Sequence, residues 1–303
     1  MTKRAIKLPK PNLKLLVPLY AVLVVVFAVL IKRGNMQLLE PAGYIADIQS
    51  KLLWGVIIFA ALMATLIIGA FFYVIFHYSE GKRARYEPDW TASKVLQIFW
   101  WGVPALGIAA ISTIVWNTAH QVDPYKPIAG TKAVNIQVVA LQWKWLFIYP
   151  DDNIATVNKL VIPVNTPVSF RLTADAPMNS FWIPRLSGQV YAMTGMVTQL
   201  HIKADRTGTY TGSPAEISGG EFAGMNFTVR SVSSADYRDW KAAARRSAQG
   251  FDYAAYKDLA RPSGYVPEAQ YKLAEPNLFD VIVMQFMEPG LDPTALHIRG
   301  ATV

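Results

Sequence analysis

The stretch SPAEISGGEFAGM, from Ser213 to Met225, has the glycine and proline punctuation of a metal-binding loop but few of its ligands. Metal chemistry there would need sulfur, imidazole or carboxylate donors at close spacing. The chain has no cysteine, which excludes a thiolate site, a disulfide, a cysteine nucleophile and a lipidated cysteine. Its histidines, His77, His120, His201 and His297, are scattered, and none forms the close pair of a sequence-local metal site. His77 and His120 fall just beyond apolar spans and His201 projects from the polar face of a strand, so these read as solvated or capping residues. Asp151 and Asp152 are paired acids, but in YPDDN their setting is that of a turn. The glycines of ISGGEFAG lack the helix and Lys-Ser/Thr of a phosphate loop, and no GxSxG motif occurs. No catalytic centre is read in the chain. The indoles are more suggestive, because LQWKWLFIYP sets Trp143 and Trp145 on the same side of one predicted strand. From the residues alone they suit core packing or docking on a membrane surface.

The elements that must position this loop begin in a membrane. Hydrophobic residues make up 52% of the 303, a high share for a soluble protein. Three apolar runs approach or exceed the roughly 20 residues that cross a bilayer. They are Leu13 to Ile31, with Lys14 as its one charge, Leu52 to Phe76, and a span from about Val95 to Trp116. Trp100, Trp101 and Trp116 suit the headgroup layer, and Pro104 is expected to kink the third span. The basic tail MTKRAIKLPKPNLK and the loop with Lys82, Arg83, Arg85 and Lys94 are expected in the cytoplasm. That places residues 32–51 and everything after His120 outside, with Lys32 and Arg33 against the scheme. The first span has the basic start of a cleaved signal peptide, but its length and the absence of a small-x-small pattern favour a retained anchor. The net charge of +8, from 29 basic against 21 acidic residues, thus belongs largely to topology. With no recognition motif and no basic-aromatic patch, a nucleic-acid partner is not expected.

From about Ala133 the texture becomes short alternating runs. Val168, Phe170 and Leu172 alternate with Ser169, Arg171 and Thr173, Leu200 and Ile202 with His201 and Lys203, and Met225, Phe227 and Val229 with Asn226, Thr228 and Arg230. Period two with turn signals such as YPDDN, PVNTP and DRTG predicts a small β-sandwich or barrel. After Val232, SSADYRDWKAAARRSAQ, FDYAAYKDLA and NLFDVIVMQFM read as helices. Their aromatics, Tyr237, Trp240, Phe251, Tyr253 and Tyr256, are expected to pack this tail onto the sandwich or a partner. The expected divisions are a basic tail and anchor over 1–34, a transmembrane hairpin over 35–120, an extracytoplasmic domain over 121–232 and a helical extension over 233–303.

The ordered set of an apolar hairpin, QWKW, MNSFWIP and YTGSPAEISGGEFAGM resembles subunit II of the haem-copper respiratory oxidases. WKWLFIYPDDNIATVN, PMNSFWIPRLSGQVYAMTGM and LLEP resemble the cytochrome bo-type ubiquinol oxidase branch, as does the aromatic-rich C-terminal stretch. The resemblance implies a membrane α + β protein with a cupredoxin-like β-sandwich on the hairpin. In the cytochrome c oxidases of the family that sandwich holds a dinuclear copper centre, which two thiolates can bridge and couple electronically. Carried onto this chain, the two His positions are Asn179 and Phe222 and the two Cys positions are Pro214 and Ser218, while Glu216 and Met225 match. Proline and phenylalanine offer no donor, serine is a poor one, and the amide oxygen is hard and neutral. Met225 then reads as a core residue.

By the same resemblance, reductant enters as quinol through subunit I, which carries the haems, the remaining copper and the proton pump. No metal or cofactor is expected in this chain, and no cytochrome c partner. Its expected partners are subunit I, smaller membrane subunits and the lipid of a bacterial inner membrane, with the C-terminal domain periplasmic. Trp143 occupies the position of electron entry in the cytochrome c relatives and returns here to packing, as does Trp145. Gln97 stands seven residues before Pro104, where the family often has a carboxylate at a proton entrance, and an amide exchanges no proton. Gly34 stands where many relatives carry a lipidated cysteine. The alternatives to a non-catalytic oxidase subunit are a membrane-anchored binding or sensing module on a cupredoxin-like scaffold, and a cytochrome c oxidase subunit with an atypical copper site.

Overall fold

The computed structural model describes residues 36–77 and 93–287, with Val22, Val26 and Val29 as further helical positions. The rest of the anchor expected over 13–31, and also Gly34, Lys82, Arg83, Arg85 and His297, lie outside the described residues. Residues 1–40 form one unit, in which Gln37–Leu39 make a 3-10 turn, and residues 41–303 form the other.

In the second unit α1 (Tyr44–His77) has 34 residues and α2 (Lys94–Gln121) has 28. At about 1.5 Å per residue each exceeds the roughly 30 Å of a hydrocarbon core. Beyond the buried Ile45 and Ala46 at the start of α1, their apolar side chains are largely exposed: Ile58, Leu62, Ile98, Trp101 and Trp116 face outward, and no residue of α2 is buried. A helix apolar all round belongs in lipid or against other apolar helices. The side chain of Ser93 caps α2 by accepting from Leu96 N, and the helix continues through Pro104.

The hairpin joins the sandwich at the start of α1 and the end of α2. Ala42 N donates to Arg185 O at 2.7 Å and Asp205 N donates to Ala42 O at 2.9 Å. A Cβ on Gly43 would lie 2.7 Å from Leu186 O and 2.8 Å from Lys203 O, so a side chain here would force these backbones apart. Beyond α2, Pro124 O accepts from His201 N.

Two sheets follow. One uses β1 (Val134–Leu141), β2 (Lys144–Tyr149), β3 (Ile154–Val157), β5 (Pro167–Asp175) and β8 (Thr198–Lys203). The other uses β4 (Lys159–Pro163), β6 (Asn179–Trp182), β7 (Gln189–Ala192), β9 (Gly208–Pro214) and β10 (Phe227–Val232). Their packed faces contribute Ile136, Val138, Phe170 and Val229, with the rings of Trp145, Phe147, Phe181 and Phe227 at the centre. The predicted alternation is present: in β5, Val168, Phe170 and Leu172 are buried in this core while Ser169 and Arg171 are half-buried.

The tail has the three helices read from its sequence and adds two strands to them. Alongside α3 (Ser234–Arg245), α4 (Tyr253–Ala260) and α5 (Leu278–Met287) it contributes β11 (Gly250–Phe251) and β12 (Ala269–Leu273). The first sheet therefore has seven strands, in the order β11-β12-β3-β2-β1-β5-β8, and the second runs β4-β10-β9-β6-β7. β12 lies antiparallel on β3, from Ala269 opposite Val157 to Lys272 opposite Ile154, and so covers an edge whose backbone groups would otherwise be unpaired. β11 and the helices α4 and α5 then bury the sheet's outer face, with Phe251, Tyr256, Leu278, Phe279 and Ile282 packing on Val139, Leu141, Leu146 and Ile148. β2 is buried at every position because it has a core on each side.

Candidate functional site

The Ser213–Met225 loop leaves the end of β9 and enters β10, beside the turn that joins β1 to β2. Pro214 is buried and pairs with Phe181 on β6, and Ala215 N donates to Ser180 O. Asn179, at the start of β6, is 1% exposed; its Nδ2 donates to Pro177 O at 2.7 Å and its Oδ1 has no partner among the described residues. Ser218 is 8% exposed and its Oγ is likewise without a partner there. Phe222 opens a 3-10 turn (Phe222–Gly224) and is half-buried, as is Glu216. Met225 is buried in the core cluster.

These side chains are not a fit for a dinuclear copper centre. Pro214 and Phe222 have no donor atom, and Asn179 and Ser218 bring neutral oxygens where bridging thiolates and imidazoles are needed. Among the described residues no group of three or more His, Asp or Glu is placed to hold a metal ion.

Two indoles hold the loop. Trp143 Nε1 donates to Ser218 O at 3.2 Å, and Trp145 Nε1 donates to Met225 O at 3.1 Å. Trp145 lies on β2, but Trp143 belongs to the turn before it, which corrects the reading of both as residues of one strand. The turn arises because residues 142 and 143 connect β1 and β2, whose register ends at Leu141 opposite Lys144. Trp145 is fully buried, 5.4 Å from the Phe181 ring and 5.5 Å from that of Phe227, while Trp143 is half-buried. Gln97 and Pro104 are exposed on α2.

His201 corrects another expectation. It is buried, with Nδ1 at 3.0 Å from Pro124 O and Nε2 at 3.2 Å from Ser169 Oγ, because the segment following α2 covers what alternation marks as a polar face. His120 caps its own helix, with Nδ1 at 2.8 Å from Trp116 O. Asp152 sits in the expected turn, which is a 3-10 turn, but it also pairs with Lys241 at 3.1 Å and with Arg245, both on α3.

Two further groups have polar partners to which the sequence did not point: Lys144, and Tyr256, which was read for its ring alone. Lys144 is 2% exposed, donating to Arg261 O at 2.8 Å and to Ser263 Oγ at 2.5 Å. Burial lowers its pKa, since the charged ammonium is the form that desolvation penalises. The signal available was a lysine between two tryptophans in an otherwise apolar strand. Tyr256 donates to Asp175 and is reached by Gln285 Nε2, and burial together with the Asp175 charge pushes its phenol upward. Burial raises Tyr149 and Tyr237 in the same way.

The family described as the periplasmic domain of cytochrome c oxidase subunit II matches residues 152–232, and the COX aromatic rich motif matches residues 245–290. The chain is 41% identical over 273 residues to the cytochrome bo(3) ubiquinol oxidase subunit 2 of Pseudomonas putida, covering 88% of this chain and 86% of that one. It is 35% identical over 272 residues to the protein of the same name from Pseudomonas aeruginosa, covering 89% and 82%. To the ubiquinol oxidase subunit 2 of Acetobacter aceti it is 37% identical over 263 residues, covering 86% and 85%.

Proposed function

We propose, from the premise that this chain belongs to the family of ubiquinol oxidase subunit 2 proteins, that it is the copper-free subunit 2 of a bacterial quinol oxidase. Quinol oxidation, oxygen reduction and proton pumping then take place in subunit I, where the haems and copper reside. This chain supplies assembly, stability and the shape of the periplasmic face, with no catalytic centre of its own. The observation that carries this reading is the loop. The positions assigned to two cysteines and one histidine hold Pro214, Ser218 and Phe222 within it, and the position assigned to the other histidine holds Asn179 at the start of the neighbouring β6, while two indoles hold the loop in place.

The consequence is electronic. A dinuclear relay needs soft ligands that couple two copper ions, and these residues supply none, so an electron from a periplasmic cytochrome c has no acceptor here. A lipid-soluble donor reaching subunit I within the bilayer does not need one. Trp143 accordingly serves as a clamp for the loop. The outward-facing apolar surfaces of α1 and α2 suit the bilayer and the helices of subunit I and smaller subunits. In this arrangement the protein is a multi-pass component of the inner membrane with its sandwich in the periplasm.

Purification of the full-length chain in mild detergent tests the reading. A large haem protein with an oxidase spectrum is expected to accompany it, and recovery of the chain alone, without haem, would overturn the proposal.

A further inference from the structure

We propose that residues 261–266 of the C-terminal extension act as a strap that holds the Ser213–Met225 loop in place through the turn bearing Trp143. As a replacement for a metal staple the strap rests on the copper-free reading of the loop. The mechanical coupling itself stands on the contacts alone.

A metal fixes such a loop by coordination from several of its residues. In this chain the segment Ala215–Gly220 is anchored from outside itself. The Trp143 indole donates to Ser218 O, and its ring lies over Gly219, where a Cβ would sit 2.8 Å from the ring carbon Cζ2. Gly219 has φ +127, a conformation that side chains resist, so bare backbone lies under the indole for two reasons. The position of Trp143 in turn depends on the strap. Trp143 N donates to Ser263 O at 3.3 Å and Ser263 N donates to Gln142 O at 3.2 Å, a reciprocal backbone pair across the turn. The side chain of Asn158 accepts from Trp145 N at 2.8 Å and donates to Val266 O at 2.7 Å, tying the far end of the strap to β2. Gly264 also faces Glu221 of the loop directly, with Oε2 3.4 Å from its Cβ position.

Lys144 makes the coupling strong. Its Nζ bonds to a carbonyl and a hydroxyl of the strap, Arg261 O and Ser263 Oγ, where a carboxylate on the sandwich would have held it regardless of the tail. If the strap lifts, the Lys144 ammonium loses both acceptors at once, which disfavours the lifted state. Strap, turn and loop therefore open together or not at all.

Hydrogen–deuterium exchange on the full-length chain, purified with the subunits it brings down, tests the coupling. Lys144→Met keeps the packing and removes both bonds from Nζ, while Ser263→Ala removes one of them. Amides of residues 215–224 are expected to exchange about tenfold faster in Lys144→Met and about threefold faster in Ser263→Ala, with β4 and β10 unchanged. Arg261→Ala alters an exposed side chain whose backbone carbonyl is retained, and it is expected to leave the loop at wild-type exchange. Faster exchange in 261–266 with the loop unchanged would overturn the proposal, as would equal loosening by Arg261→Ala. Should Lys144→Met fail to fold, Ser263→Ala decides alone. Quinol-dependent oxygen uptake on the same preparations tests the subunit reading separately, because the oxidase can be active whether or not the loop follows the strap.

Discussion

The two faces of the seven-stranded sheet are both buried, yet by different means. On the inner face Trp145, Phe147, Phe170, Phe181 and Phe227 interlock, with Phe181 stacked on Phe227 at 5.2 Å and 10°. Shape holds this face, and its polar contacts are few, chiefly the indole of Trp145 and the phenol of Tyr149 donating to backbone carbonyls. On the outer face the tail packs Phe251, Leu278, Phe279 and Ile282 on the sheet, but it is also pinned by charge. Asp175 holds Tyr256, and Asp280 meets Arg171 at 3.4 Å. A layer added to a completed sandwich needs directional contacts to fix where it lies, whereas an interlocking core fixes itself. The loop from Ser213 to Met225 stands where the two layers meet, held by an inner indole and, through Trp143, by the tail.

The largest expected effect separates the layers. Phe181→Ala should remove roughly 3–5 kcal/mol from the unfolding free energy of the whole sandwich, measured by denaturant titration in detergent. Phe279→Ala, in the outer layer, should instead release the outer part of the tail, so that limited proteolysis cuts residues 250–287 while the sandwich remains folded. If the sandwich unfolds at the same denaturant concentration at which the tail comes free, the two layers are one cooperative unit and the distinction fails.

A smaller effect concerns alkaline pH. Tyr149, Tyr237 and Tyr256 all have phenols raised above 10.0, so the folded state keeps protons that the unfolded state sheds. Their contribution is fully present below pH about 10 and is lost as pH rises from there toward the folded values. Tyr256→Phe removes one such group, and the alkaline decline in stability should become shallower by about 1.4 kcal/mol per pH unit. An unchanged slope would show that the outer-layer phenol is not protected by burial. Lys144 acts in the opposite sense: its lowered ammonium sheds its proton first in the folded state, which adds stability as pH approaches 10.5.

The inner face was legible in the sequence because period-two alternation reports one-sided burial directly, as at Phe170 and Phe227. The outer face was legible only in part: its helices and the packing of Phe251, Tyr253 and Tyr256 on the sandwich were read, but its two strands were not. β11 has two residues, and β12, AQYKL, pairs with β3 through backbone groups that leave little trace in side-chain pattern. His201 misled for a related reason, since alternation marks a face as polar but cannot say that another segment covers it. In and beside the loop, motif order assigned Asn179, Pro214, Ser218 and Phe222 to their positions. The donor bonds from Trp143 and Trp145, and the strap that supports Trp143, required the three-dimensional arrangement. Asp152 read as a turn residue because its partners on α3 lie about ninety residues further along the chain.

Oxygen uptake by the purified complex containing this chain, with quinol and with reduced cytochrome c compared as donors, tests the central claim most directly. The account predicts rapid uptake with quinol and none above background with cytochrome c. Rapid oxidation of cytochrome c, with copper stoichiometric in this chain, would contradict it.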